Sequence, residues 1–402
     1  MDTPIQAPGS AISDGADQGM TSWAGRALPV RFTASGSEYF RIWIVNLLLT
    51  IVTLGFYLPF AKARRLRYFY ANTLVDEQPL AFHGDAWKMF RGYLLMLVLF
   101  GGYAVSSYVS HWVALGAFVV LALLWPALWR SSLMFRLGNT SWRGLRMSFQ
   151  GGLDGAYGAM LPLFVPALLI LAATAWFLNG VDPRDQAAVM AANSATAPFV
   201  GLSMLLLMVM SPWALWRMKV YQHGGYRYAR EATTYSGRLR SFYGLGLKLV
   251  LVALLAVVVI GVGVGVSVAL AKTSANPKAM VFGIAIPIAV VTAMVYIWLF
   301  SLAGAGLQNL AWNPTQSAQL QFSSSLRVGA FTWLNIRNMA LVIVTLGLFR
   351  PFAVVSVLRM RLEAVEVRAT GHIDSWAADM PASSGTGSGE MAGDFFGIDV
   401  GL

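Results

Sequence analysis

Residues 245–271 read LGLKLVLVALLAVVVIGVGVGVSVALA, with Lys248 their single charge. A helix rises about 1.5 Å per residue, so a run of this length exceeds the roughly 30 Å hydrocarbon core of a bilayer. Segments of the same kind lie to either side, at about 40–60, 90–108, 112–130, 157–178, 198–217, 279–303 and 332–353. The composition agrees: 57% of the 402 residues are hydrophobic and 12% are charged. That charged share is about half that of a soluble domain and too small to cover a water-facing surface. The expected fold is an all-α polytopic membrane protein with six to eight transmembrane or re-entrant helices, and the lipid bilayer is its first partner.

Other features narrow the chemistry. There is no cysteine, which excludes disulfides and thiolate catalysis. The net charge of +11 comes from lysines and arginines that flank apolar segments; this is the pattern of membrane topology, and no nucleic-acid partner is expected. Residues 1–28 are polar and Gly/Ser/Asp-rich, without a signal peptide's basic start and apolar run, and read as a disordered tail. Residues 377–402 read likewise, with Asp394, Phe395 and Phe396 their one feature suited to docking, which leaves 29–376 as the membrane domain.

Six of the apolar segments pair into helical hairpins with turns near Ser110, 182–193 and 272–278, and between the pairs a pattern recurs. Pro59 to Phe82, Pro126 to Phe149 and Pro212 to Tyr235 each span 23 residues, and the tripeptides there are Phe82-His83-Gly84, Phe149-Gln150-Gly151 and Tyr235-Ser236-Gly237. A fourth stretch places Phe322 23 residues after Leu299, with no proline. Each connector begins with a basic helical extension and continues as two β-prone runs about a turn, at 71–75 and 79–83, 139–142 and 145–150, and 226–229 and 233–236. These runs predict short β-hairpins that meet in a small layer. The prolines are expected to separate each span from the helix that follows. The first and last segments also match: residues 51–61 (IVTLGFYLPFA) align with 343–353 (IVTLGLFRPFA) at an offset of 292, setting Asn46 opposite Asn338 and Arg67 opposite Arg359. The chain thus reads as internal repeats.

The connectors 59–82, 126–149 and 212–235 carry four basic residues each, whereas the opposite turns carry Arg184, Lys272 and Lys278. The positive-inside rule makes the connectors cytoplasmic. Eight full crossings would then put Arg26, Arg31, Arg41, Arg350, Arg359, Arg361 and Arg368 outside, against the same rule. Re-entry of 40–60 and 332–353, broken at Gly55/Pro59 and Gly347/Pro351, removes the conflict; both topologies satisfy the length criterion.

The stretches TLGFYLPFAKARRLRYFYANT (53–73), LAFHG (80–84) and GNTSWRGLRMSFQG (138–151) resemble the YjgN family of bacterial inner-membrane proteins, over roughly residues 30–375. That resemblance implies a multi-pass inner-membrane protein of unknown function and supplies no catalytic residues.

Polar groups within apolar segments are the natural site candidates, because an amide in hydrocarbon must find partners or line a wet cavity. Asn46 and Asn338, with Thr53, Thr345, Gly55 and Gly347, form paired broken segments of the sort that bind solutes in transporters. Their alternative role is helix packing and bending. Lys62, Arg64, Arg65 and Arg67 form a basic aromatic helix suited to anionic lipid headgroups, or to plain topological anchoring. Asp154 lies at a segment edge; His83 and Asp85 offer a weak acid/base pair; Gly261, Gly263 and Gly265 suit helix packing, not a dinucleotide loop. No histidine has a partner at metal-ligand spacing. We expect no enzyme, metal or cofactor; a carrier or channel for a small solute leads, and a non-transporting protein whose basic connectors bind anionic lipid or a partner protein follows. The oligomeric state is not encoded in any of these patterns.

Overall fold

The structure, a computed structural model, describes residues 25–273 and 277–370. The readings for 1–24 and 377–402, part of the 272–278 turn, and His372 lie outside these residues. The first element, β1 (Arg26–Phe32), begins inside the stretch read as the N-terminal tail.

Helices feed strand pairs and strand pairs feed helices throughout. After β1 come α1 (Gly36–Val52) and α2 (Leu58–Ala71), then β2 (Thr73–Val75) and β3 (Gln78–Phe82). Next are α3 (Ala86–Val109) and α4 (His111–Gly138), followed by β4 (Thr140–Trp142) and β5 (Leu145–Phe149). Then α5 (Leu153–Met160), a 3-10 turn and α6 (Val165–Leu178) pair with α7 (Gln186–Gly224), which leads into β6 (Tyr226–Tyr228), β7 (Glu231–Ala232) and β8 (Thr234–Tyr235). Finally α8 (Leu239–Thr273) and α9 (Pro277–Trp312) lead to β9 (Thr315–Gln316) and β10 (Leu320–Ser324), and α10 (Val328–Val344) and α11 (Arg350–Glu363) to β11 (Val365–Ala369).

The expected small β layer is a larger structure. Its antiparallel order is β7-β6-β5-β4-β3-β2-β1-β11-β10-β9-β8. The two ends, β7 and β8, flank Thr233 in one continuous strand, whose N–H at Thr233 donates to the Tyr226 carbonyl (3.0 Å). The sheet therefore closes on itself. Closure follows from each hairpin pairing with the next, as in Leu80 with Trp142, Met147 with Tyr228 and Val30 with Val75, and it removes exposed edges. Alternation sends Leu28, Trp142, Tyr228, Leu320 and Val367 into one shared core. Indole and phenol tie successive hairpins together: Trp142 Nε1 donates to the Val75 carbonyl (3.1 Å) and the Tyr228 hydroxyl to the Trp142 carbonyl (3.1 Å). The Asp76 carboxylate accepts from both Arg26 and Arg143.

The same joint between barrel and helices appears five times. The N–H groups of Thr33, His83, Gln150, Ser236 and Ser325, each just past a strand, donate to the carbonyls of Asn72, Asn139, Gly225, Pro314 and Ala364 at the ends of five helices, at 2.9, 2.8, 2.9, 3.0 and 3.0 Å. One residue further on, the carbonyls of Ala34, Gly84, Gly151, Gly237 and Leu326 accept from Arg359, Arg67, Arg130, Trp216 and Asn309. The aromatic-x-Gly tripeptides gain a physical reason here. A Cβ on Gly84, Gly151 or Gly237 would lie 2.4, 2.6 or 2.3 Å from the ring of Phe82, Phe149 or Tyr235, two residues earlier. The fourth connector joins the barrel too, with Ser324 and not Phe322 at the aromatic position, since Ser325 makes the joint.

The proline expectation holds at two places and is corrected at two. Pro59 and Pro351 open new helices, where the missing N–H costs nothing. Pro126 and Pro212 instead lie inside continuous helices, buried against neighbours whose packing offsets one lost ladder bond.

Six helical stretches are long and apolar enough to cross a membrane: Ala86–Val109, His111–Gly138, Leu153–Leu178, Gln186–Gly224, Leu239–Leu270 and Ile286–Trp312. Their outward side chains, Leu251, Leu254, Leu255, Val257 and Val258 among them, are exposed in the protein alone and need lipid to cover them. The end segments behave differently. After α1 the backbone reverses through Leu54 (φ 50°) and Gly55 (φ 94°), and after α10 through Leu346 (φ 50°) and Gly347 (φ 94°). Because Thr33 bonds Asn72 and Ser325 bonds Ala364, each of these helix pairs leaves the barrel and returns to it.

Candidate functional site

The returning helices α2 and α11 stand beside cavities, and the sequence explains which side chains enter them. On a helix, residues three and four apart share a face. Lys62, Arg65, Leu66 and Phe69 of α2 therefore point one way, into a cavity of about 960 Å³, whereas Arg64 and Arg67 are exposed on the other. Arg67 is held by its bond to the Gly84 carbonyl (2.8 Å). The basic run is thus divided between a cavity wall and an outer surface.

Arg136 of α4 and Arg350 and Arg361 of α11 join Lys62 and Arg65 in lining this cavity, and among the described residues no Asp or Glu does. The remaining wall is apolar, with Tyr296 and Phe300 of α9 and Met339, Val342 and Ile343 of α10. Asn338 lies in it as well, buried, with its Nδ2 donating to Ser356 Oγ (2.9 Å) and its Oδ1 without a partner. A second cavity of about 390 Å³ is lined by Tyr39, Trp43, Asn46, Thr50, Lys62 and Arg65, among others. Asn46 Oδ1 is likewise buried without a partner, and its Nδ2 makes a long 3.5 Å contact with the Ala61 carbonyl. A third, of about 290 Å³, occupies the barrel and the helix ends above it, walled by Leu28, Trp129, Trp142 and Tyr228. It adjoins the largest cavity at Tyr70, Thr73, Leu80, Arg136 and Leu362.

The two asparagines consequently occupy separate cavities, with Lys62 and Arg65 in the wall between them. Thr53, Thr345, Gly55 and Gly347 line neither. The threonine hydroxyls donate to the Leu49 and Leu341 carbonyls (both 2.7 Å) and accept from the Tyr57 and Phe349 N–H groups (3.0 and 2.9 Å), closing the two reversals. The glycines supply the left-handed backbone there. Asp154 is exposed. His83 contacts Ser141 Oγ (2.8 Å), while Asp85 caps α3 by accepting from Trp87 N–H (2.9 Å), so the two do not form a pair.

Sequence reasoning counted Arg136, Arg350 and Arg361 only as topological charges; the shared helix face of Lys62 and Arg65 was available as a signal, but their convergence across three helices was not. It also passed over His223, buried at the end of α7 with Nδ1 3.1 Å from Thr315 Oγ1, and buried Lys219 one turn earlier. Among the described residues no group of three His, Asp or Glu side chains is placed to hold a metal ion.

Comparison with known proteins gives a consistent picture. A family profile described as "Bacterial protein of unknown function (DUF898)" matches residues 27–395. The inner membrane protein YjgN of Salmonella typhimurium is 33% identical over 145 residues, 35% of each chain, and that of Escherichia coli K12 is 30% identical over 182 residues, 44% of this chain and 42% of the relative. These alignments span less than half the length of either relative. No solved structure matches.

Proposed function

Since this chain belongs to the DUF898 family of bacterial proteins, whose members supply no activity to inherit, we propose one from its geometry: a carrier whose substrate is an anion held in the 960 Å³ cavity. The protein is a multi-pass inner-membrane protein. The positive-inside rule puts its barrel and both end hairpins on the cytoplasmic side.

The observation that carries the reading is that Lys62, Arg65, Arg136, Arg350 and Arg361 line one cavity in which, among the described residues, no Asp or Glu takes part. A cavity lined by basic side chains and no acid carries a positive potential that favours an anion. The free Oδ1 of Asn338 adds an acceptor for a donor group on the same substrate. Flux of anionic solutes into proteoliposomes tests it, comparing wild type with Asn46→Ala, Asn338→Ala and Arg65→Gln. Slower flux in Asn338→Ala and Arg65→Gln supports the site; unaltered flux in all three removes it.

The second reading, a non-transporting protein whose basic connectors bind anionic lipid or a partner protein, is favoured by a separate observation. The barrel's exterior exposes Arg146, Arg227, Arg230 and Arg368. It predicts binding to acidic liposomes that falls steeply with salt and survives Arg65→Gln.

A further inference from the structure

We propose that the anion in the 960 Å³ cavity is the headgroup of a phospholipid, which enters sideways from the leaflet on the barrel side and lays an acyl chain along the outer apolar wall. This rests on the anion-site reading above and names its substrate class. The apolar part of the lining includes Tyr296, Phe300, Met339 and Ile343, which are 74%, 67%, 47% and 66% exposed. A soluble anion has no use for such a surface. An amphiphile covers it, and the exposure marks the side from which a chain arrives.

Depth supports the same assignment. Residues 112–129 of α4 carry no charge and Arg130 is the first, which sets the hydrocarbon boundary about 12 Å from the helix end at Gly138. Counted back from Asn72 along α2, Lys62 lies about 15 Å and Arg65 about 10 Å out, straddling that boundary where phosphates reside. The reversal of α1, with Leu54 89% exposed, and that of α10, with Leu346 94% exposed, reach about 13 Å into the leaflet by the same count. The two hairpins therefore flank a pocket whose basic lining runs from headgroup level at Lys62 and Arg65 inward to Arg350, about 21 Å out by the same count. The shared chemistry, a phosphate monoanion, also exists in water, so the test separates the two sources.

The full-length protein in detergent is titrated with phosphatidylglycerol and phosphatidylcholine, and separately with glycerol phosphate, for wild type, Arg65→Gln, Arg350→Gln, Met339→Trp and Ile343→Trp. Arg64→Gln, on the outer face, serves as control, and thermal unfolding verifies that each variant is folded. We expect phosphatidylglycerol to bind at least about tenfold more tightly than phosphatidylcholine, and each cavity-arginine variant to lose roughly tenfold, about 1.4 kcal/mol. The two tryptophan variants obstruct the chain's path and weaken the lipid without changing glycerol phosphate binding. If glycerol phosphate binds as tightly as the lipid and the tryptophan variants change nothing, the lipid inference falls while the anion site stands. If the arginine variants alter neither ligand, both fall.

Discussion

The hairpins α1–α2 and α10–α11 share a backbone and differ in charge. Both reverse through a Leu-Gly pair with the same left-handed angles. Both send an arginine, Arg67 or Arg359, to the carbonyl just past a strand at 2.8 Å. With that scaffold fixed, the offset of 292 sets Lys62 opposite Val354, Arg65 opposite Val357, Leu58 opposite Arg350 and Phe69 opposite Arg361. At these four positions one leg is charged and the other apolar. Seven of these eight side chains, all but Leu58, line the large cavity, so its charges lie at different levels along the helices instead of stacking. The lesson is that matching backbones hold the frame while mismatched side chains make the site.

Breaking the frame gives the largest expected effect. Arg67→Ala and Arg359→Ala each remove a charge-assisted bond to a barrel-exit carbonyl, and each is expected to cost about 1.5–3 kcal/mol in detergent unfolding; a large inequality between them would break the equivalence of the hairpins. Gly55→Val and Gly347→Val force a β-branched residue into left-handed backbone and are expected to cost about 1–2 kcal/mol each, again equally. In the barrel, Tyr228→Phe deletes one buried hydroxyl bond and should cost about 1 kcal/mol. Burial pushes the Tyr228 phenol up to about 12. Because the folded phenol holds its proton more tightly than the unfolded one, its share of stability is intact below about pH 10 and is lost as pH rises toward 12. The Phe variant should lack that alkaline loss, measured as the pH dependence of unfolding. The smallest effect is expected for Arg64→Gln, on the exposed face of α2, at within about 0.5 kcal/mol.

Much of the frame was readable because it rests on local rules. The apolar run lengths identified the spans, the Leu-Gly-x-x-x-Pro matches at 54–59 and 346–351 marked the breaks while leaving re-entry and full crossing both open, and the 23-residue spacing located three hairpins. Misreadings came where tertiary contacts override local preference. Pro126 and Pro212 suggested helix ends, but burial keeps α4 and α7 continuous. Strands β1 and β11 went unnoticed because neither belongs to a local hairpin and each finds one of its two partners at the opposite end of the chain.

By itself, then, the sequence determined the solvent, the spans, the matching breaks in the two end segments and the hairpin positions, since each depends on hydrophobicity, helix geometry or turn stereochemistry within a few dozen residues. Tertiary structure alone decided that the hairpins close into a barrel and that Lys62, Arg65, Arg136, Arg350 and Arg361 face one cavity. Both outcomes depend on which faces of distant helices meet, and no local pattern of residues carries that information.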